Sequence, residues 1–292
     1  MNSLLWPLLA CSASSSAPPP VALEPPAEPA PVEAPARLER VVAVGDLHAD
    51  LPHALAVLKM ADLLDEDGHW SGGTATLVQT GDTTDRGPDS LEVLQLMARL
   101  ETEAEAAGGR VVALLGNHEV MNLTGDWRYV SDGDLADFDG SVEARREAFG
   151  PEGELGIWLR AHGIVAVVDR VAYAHGGITA EWAEKGVDAI NAAPWPTLGP
   201  DSPIWYRGFI LDPEPTACRP LEDALVALGV DRMVVGHTTQ ESGRIVSRCG
   251  GRVLGIDTGI SAHYGGHHSA LELRSGDAWA LYPTGPEDIP DP

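Results

Sequence analysis

The sequence predicts an α/β protein in four layers, α/β/β/α, with two sheets packed face to face and helices outside them. Three observations predict it. Strand-like and helix-like segments alternate through the first half with a repeat near 35 residues, short strands crowd the second half, and apolar strands repeatedly end in a polar residue. A chain of 292 residues, 44% of them hydrophobic, is long enough for one sizeable core.

The start of the chain stands apart. Residues 1–11 (MNSLLWPLLAC) read as a bacterial lipoprotein-type signal in which the Cys11 thiol would be acylated, which would export the protein to the periplasm or outer membrane. The apolar run is short and no Lys or Arg precedes it, so a cytoplasmic chain is the alternative. Residues 12–37 are dominated by Pro, Ala and Glu and hold too few large apolar groups to offset their ordering entropy; they predict a disordered tether. One domain over 38–285 follows, with an insertion near 120–162 and a tail at 286–292. No segment has the length and apolarity of a membrane span. A formal charge of −25 repels a nucleic-acid backbone and excludes that partner class. Cys218 and Cys249 could pair, but two cysteines leave the pairing open, and the oligomeric state is equally open.

ERVVAVGD reads as the first strand, Asp50 as an N-cap, and LPHALAVLKMADLL as a helix with Pro52 in its first turn. ATLVQTGD is the second strand; Pro88 opens a helix to about Ala107, which Gly108 and Gly109 end; RVVALLGN is the third strand. The spacings are 36 residues from Asp46 to Asp82 and 35 from Asp82 to Asn117, each the length of one βαβ unit. Right-handed crossovers bring the three strand ends to one edge. Residues 120–162 are acidic and irregular, with helices expected near 142–149 and 154–161. The run Asp132, Asp134, Asp137, Asp139 fails the EF-hand template and reads as a solvated loop. IVAVVD and VAYAHGG predict a hairpin, a helix is expected near 221–228, and RMVVGH, GRIVSRC, RVLGID and SALELR predict further strands.

Asp46, His48, Asp82, Asn117, His175, His237 and Asp257 all stand at or just past ends of apolar strands. A lone Asp or Asn there is ordinarily a turn former or helix cap, and a lone His a hydrogen-bonded loop residue. Their joint recurrence favours ligation instead. Carboxylate and imidazole suit borderline or hard divalent ions, and the absence of a Cys cluster disfavours structural zinc. One carboxylate can bridge two cations about 3.5–4 Å apart that hold a hydroxide aimed at phosphorus. Asp82 would be that bridge. His263, His267 and His268 read as surface or supporting residues, and Asp257 as either support or a turn.

GDLH (45–48), GDTTDRG (81–87), GNHE (116–119), HGG (175–177) and GHT (236–238), in this order, resemble the calcineurin-like metallophosphoesterases, specifically the phosphoprotein phosphatase branch. VMNLTGDWRYV (120–130), PIWYRG (203–208) and IDTGIS (256–261) look like the Shewanella-like protein phosphatases within it. The resemblance implies that Asp46, His48 and Asp82 hold one metal and Asp82, Asn117, His175 and His237 the other. It also implies that His118, oriented by Asp85, protonates the leaving oxygen, a role imidazole suits because it titrates near neutral pH. Arg86 and Arg207 would clamp phosphoryl oxygens beside Asn117, with Tyr264 as a further phosphate contact. Ala49 stands where the family often has Gly, and Thr83 and Thr84 where larger apolar residues are common.

The implied function is hydrolysis of phospho-Ser, phospho-Thr or phospho-Tyr in proteins by direct attack of a metal-bridging hydroxide. Two divalent ions are the cofactor: Mn, Fe or Zn, with Mn favoured in vitro. A symmetric dinucleoside polyphosphate hydrolase is the alternative enzyme, since GDLH and IDTG occur there as well. A non-catalytic metal-dependent binding module is the alternative of another class; intact His118, Asp85 and arginines speak against it.

Overall fold

In the computed structural model, which describes residues 40–290, the first strand is VVAV (β1, Val41–Val44), buried on both faces as a strand between two layers must be. Helix α1 (Leu51–Met60) follows, with Asp50 accepting the His53 N–H at 3.2 Å as its cap. Strand β2 (Thr76–Gln79) is parallel to β1; α2 (Ser90–Ala106) starts two residues after Pro88 and stops before Gly108, whose φ is +81°. Strand β3 (Arg110–Ala113) completes the parallel trio.

The 120–162 segment is more helical than its composition suggests. It carries most of α3 (Asn117–Thr124), then α4 (Asp132–Ala136), α5 (Val142–Phe149) and α6 (Glu154–Arg160), the last two where helices were expected. Asp132, Asp137 and Asp139 are exposed as expected, but Asp134 is fully buried, which corrects the reading of that run as a solvated loop. The buried Arg145 guanidinium supplies its counter-charge.

Strands β4 (Val165–Val168) and β5 (Val171–Ala174) form the expected antiparallel hairpin. Short helices α7 (Ala180–Ala183), α8 (Val187–Asn191) and α9 (Gly208–Leu211) lead to α10 (Glu214–Leu228). Helix α10 starts seven residues before its expected position. Pro213 at the cap and Pro215 just inside occupy positions where a missing N–H costs nothing. Then come β6 (Arg232–Val235), β7 (Val246–Arg248), β8 (Val253–Gly255), β9 (Ala270–Arg274), β10 (Asp277–Tyr282) and β11 (Gly285–Ile289). The last strand pairs with β10, so the expected domain end at 285 falls at the start of a strand and the expected tail is paired through Ile289. The lipoprotein-type signal with Cys11 and the tether at 12–37 lie outside the described residues.

One sheet runs β11-β10-β9-β1-β2-β3, the other β4-β5-β6-β8-β7. Their inner faces meet through Val41, Ala43 and Val78 on one side and Tyr173, Val234 and Leu254 on the other. Outward, Val42, Val44 and Leu77 pack on α1 and α2, while Ala172, Met233 and Val235 pack with Leu221, Ala224 and Leu225 of α10. The predicted four layers are thus present. Within each sheet the core strands are parallel (β1, β2, β3; β5, β6, β8), so their carboxyl ends converge on one edge. Among the described residues, no helix is long and apolar enough to cross a membrane.

Cys218 of α10 and Cys249 after β7, a pairing the sequence left open, form a disulfide closing a separation of 31 residues. A loop of that size restricts the unfolded chain, so replacing both cysteines by alanine should cost about 3 kcal/mol. Urea unfolding measures this. Coincident midpoints for the variant and the oxidised protein would mean that the cross-link adds nothing.

Candidate metal centre

The site forms where the two sheets' strand ends meet. Asp46 lies just past β1, and its carboxylate crosses to the second sheet, accepting the His237 N–H at 3.2 Å on both oxygens. This approach needs glycine opposite it, since a Cβ on Gly236 would lie 2.3 Å from Asp46 Oδ1. Asp82, just past β2, has a left-handed backbone (φ +55°), and Gly116 makes room for it, a Cβ there falling 2.2 Å from Asp82 Oδ1. Its carbonyl accepts from Leu47 and His48, its Oδ1 accepts the His118 N–H at the start of α3 at 3.0 Å, and its Oδ2 faces the cavity.

Asp82 Oδ2 stands 3.8 Å from His48 Nε2 and 3.1 Å from His175 Nε2. His48 Nε2 is also 3.9 Å from Asp46 Oδ2, and His175 Nε2 is 3.0 Å from Asn117 Oδ1. His175 Nδ1 lies 3.1 Å from the Thr80 carbonyl, to which only an N–H can donate, so Nε2 is left as its lone-pair nitrogen. His237 Nε2 is buried without a partner beside this group. These separations are what donors each about 2.0–2.2 Å from a shared cation would show. The charges fit as well. Burial, then the neighbouring Asp257 and Asp82 carboxylates, raise the Asp46 pKa well above the usual carboxylate value, a crowding of anions that a cation would relieve. Burial is the main cause that lowers His48 to about 3 and His237 to about 2, keeping both imidazoles in the neutral form that ligates. The N and O donors therefore fit divalent ions, and Asp82 belongs to two donor groups, one with His48 and His118 and one with His175 and His237.

His118 Nδ1 meets Asp85 Oδ2 at 2.7 Å, as the sequence led one to expect, and its Nε2 points into the same cavity, 3.8 Å from Asp82 Oδ2. Burial pulls its pKa down, but Asp82 and Asp85 more than reverse that, so the ring holds its proton more strongly than an ordinary histidine. Arg86 and Arg207 line the cavity, which measures 170 Å³. The Arg86 guanidinium lies over the Tyr129 ring, 3.9 Å from its centroid, with its Nε buried and unpartnered; Arg207 donates to the His237 carbonyl. Tyr264 packs on His48 with ring centroids 4.8 Å apart, and Trp205 on His237 at 5.5 Å. Every expected site residue is therefore at one edge, with Tyr264 among the residues lining the cavity. Asp257 accepts from the Thr239 hydroxyl and the Gly259 N–H, so it supports a turn beside Asp46. Among the described residues, His263, His267 and His268 belong to no metal-ligand cluster.

Glu119 was overlooked. Fully buried, it accepts from the backbone N–H of Gly116, Asp82, Thr83 and Thr84 and from both threonine hydroxyls, at 2.7–3.1 Å. Its place three residues after the N-cap Gly116 is the capping-box signal that could have found it. Thr83 and Thr84, which looked like mere departures, are its donors. Asn122 and Arg145, which reach Asp85, were also missed and carry no local sequence signal.

Residues 39–241 match the calcineurin-like phosphoesterase family. An uncharacterized protein of Schizosaccharomyces pombe is 40% identical over 81% of this chain and 78% of its own length. Shewanella-like protein phosphatase 2 of Arabidopsis thaliana is 32% identical over 81% and 75%. The cold-active protein-tyrosine phosphatase of a psychrophilic Shewanella superposes with a TM-score of 0.76 at 32% identity, covering 86% of this chain and 80% of that one.

Two substitutions check the local account. Glu119→Gln turns one acceptor face into donors aimed at N–H groups and should cost about 3 kcal/mol in denaturant unfolding; an unchanged midpoint would mean that the six contacts are dispensable. Ala49 sits at φ +52°, where glycine is unstrained, so Ala49→Gly should raise stability by about 1 kcal/mol, and a loss of stability would contradict the strain.

Proposed function

The chain belongs to the calcineurin-like phosphoesterases, and from that premise we propose that it is a dinuclear metal-dependent phosphatase of phosphorylated protein side chains. One observation carries the reading: a single carboxylate oxygen, Asp82 Oδ2, lies among the donor atoms of both groups, which is the arrangement two bridged cations require. Asp46, His48 and Asp82 would hold one ion, and Asp82, Asn117, His175 and His237 the other. Two bound divalent ions would polarise the phosphoryl oxygens and lower the pKa of attacking water.

The chain's own residues supply the rest. Arg86 and Arg207, which both line the cavity, bind the phosphoryl oxygens, and the fork of each guanidinium fixes the phosphorus in place. Arg86 is held ready by the Tyr129 ring beneath it. His118 keeps a proton on Nε2, inside the cavity, while its Nδ1–H donates to Asp85, so it can deliver that proton to the departing oxygen. Tyr129, Trp205 and Tyr264 line the cavity with aromatic surface, which favours an aryl leaving group. That lining, together with the tyrosine phosphatase among the relatives, supports phosphotyrosine as the preferred side chain.

Manganese is the ion we expect to serve best in vitro. Export as a lipoprotein acylated at Cys11 is the matching proposal for location, supported by the Cys218–Cys249 disulfide, which persists in oxidising compartments. Mass spectrometry of the mature N-terminus decides it, an intact Met1 being the contrary result.

The activity is tested by a turnover panel of phosphotyrosine, phosphoserine and phosphothreonine peptides and a dinucleoside tetraphosphate, each with Mn, Fe or Zn. Phosphotyrosine peptide with Mn should lead; preference for the dinucleotide would replace the proposal with the alternative hydrolase. His118→Asn should lower kcat roughly 10²- to 10⁴-fold with metal content unchanged. Asp82→Asn should empty both sites; two ions retained would remove it from the bridge.

A further inference from the structure

Arg145 of α5 is 1% exposed, and a guanidinium cannot shed its proton, so a full positive charge is buried. Its contacts converge on the residue behind His118. Nε donates to Asp134 Oδ2 at 2.9 Å, Nη1 donates to Asn122 Oδ1, and Nη2 lies 3.5 Å from Asp85 Oδ1. Phe149 covers one side, its ring centroid 4.3 Å away.

Two features make this more than a buried ion pair. An asparagine amide can face either way. Arg145 offers only donors, so it can donate only to the carbonyl end of Asn122, which turns the Asn122 amide N–H toward Asp85 Oδ1, at 3.0 Å. The network also closes on itself. The Asp85 N–H donates to Ser90 Oγ at 3.2 Å, the Ser90 N–H donates to Asp134 Oδ1 at 3.0 Å, and Asp134 holds Arg145. Asp85 needs such fixing, because its backbone sits at φ +68°. With Oδ1 engaged by Asn122 and Arg145, only Oδ2 is left to receive His118 Nδ1–H.

We infer that Arg145, with Asp134 as its counter-ion and Asn122 as its relay, is a positioning residue that sets the Asp85 carboxylate behind His118. The inference rests on the proposal that His118 protonates the leaving oxygen. The inserted helices then serve proton delivery as well as packing.

The experiment varies the leaving group. A phosphotyrosine peptide releases a weakly acidic phenol whose oxygen needs the proton, whereas 2,4-dinitrophenyl phosphate releases a far more acidic phenol that does not. Arg145→Met alone strands two buried carboxylates and puts the fold at risk, so the variants are Arg145→Lys and the paired Asp134→Asn/Arg145→Met, which removes both charges. Each should lose roughly 10- to 100-fold in kcat on the peptide, with KM and metal content unchanged, and less than about threefold on the dinitrophenyl ester. Placed on His118→Asn, either should cause no further loss. Equal losses on the two substrates, wild-type turnover, or losses that multiply with His118→Asn would overturn the inference. His118→Asn on its own separates the two ideas: if it keeps peptide turnover, the acid role fails. If it loses peptide turnover selectively while Arg145→Lys does not, only the role of Arg145 fails.

Discussion

The buried carboxylate of Glu119 is the contact on which the rest of the site depends. The left-handed turn at Asp82 leaves the N–H groups of Asp82, Thr83 and Thr84 buried and off any strand ladder, with that of Gly116 beside them. One anion with four lone-pair sites satisfies several of these donors at once and does so from α3, the helix that carries Asn117 and His118. The second and third strand ends are thereby locked to each other. Asp82 then has a single orientation open to it: backbone carbonyl toward His48, Oδ1 into the start of α3, Oδ2 toward the histidines of the other sheet.

Much of this was legible because the site is written at strand ends. A buried parallel strand shows as a short apolar run, and the polar residue after it must surface at the sheet edge, so Asp46, Asp82, Asn117, His175 and His237 announce themselves. What could not be read lies in contacts remote in sequence. Arg145 and Asp134 look like ordinary residues of a charged, helix-rich insertion; only the packing of Phe138 and Phe149 around them makes them interior. The early start of α10 was hidden by prolines, which usually signal a break; Pro213 and Pro215 fit a first turn, and the helix carries Pro220 in its interior. β11 was hidden by its composition, since GPEDI lacks the β-branched pattern and is held by pairing with β10 at a sheet edge, where proline is tolerated.

The two arginines that line the cavity are supported unequally. Arg86 rests on a ring from the insertion, and its N–H donates to the Tyr129 carbonyl. Arg207 sits at the head of α9, whose last carbonyls are gathered by Arg248, the neighbour of disulfide-bonded Cys249. The cross-link therefore ties the β7 end, and through it α9, to α10. A half-buried bond outside the cavity lining is thus linked to the segment that carries Arg207.

The division of donors between two sheets has a bearing on how the protein is born. A ribosome that has released residues through β3 and α3 has presented Asp46, His48, Asp82 and Asn117, but neither His175 nor His237. The complete set of donor side chains exists only once the later half has been synthesised and its sheet has packed on the earlier one. A chain halfway through synthesis therefore lacks the finished set of donors that the proposed ions would require.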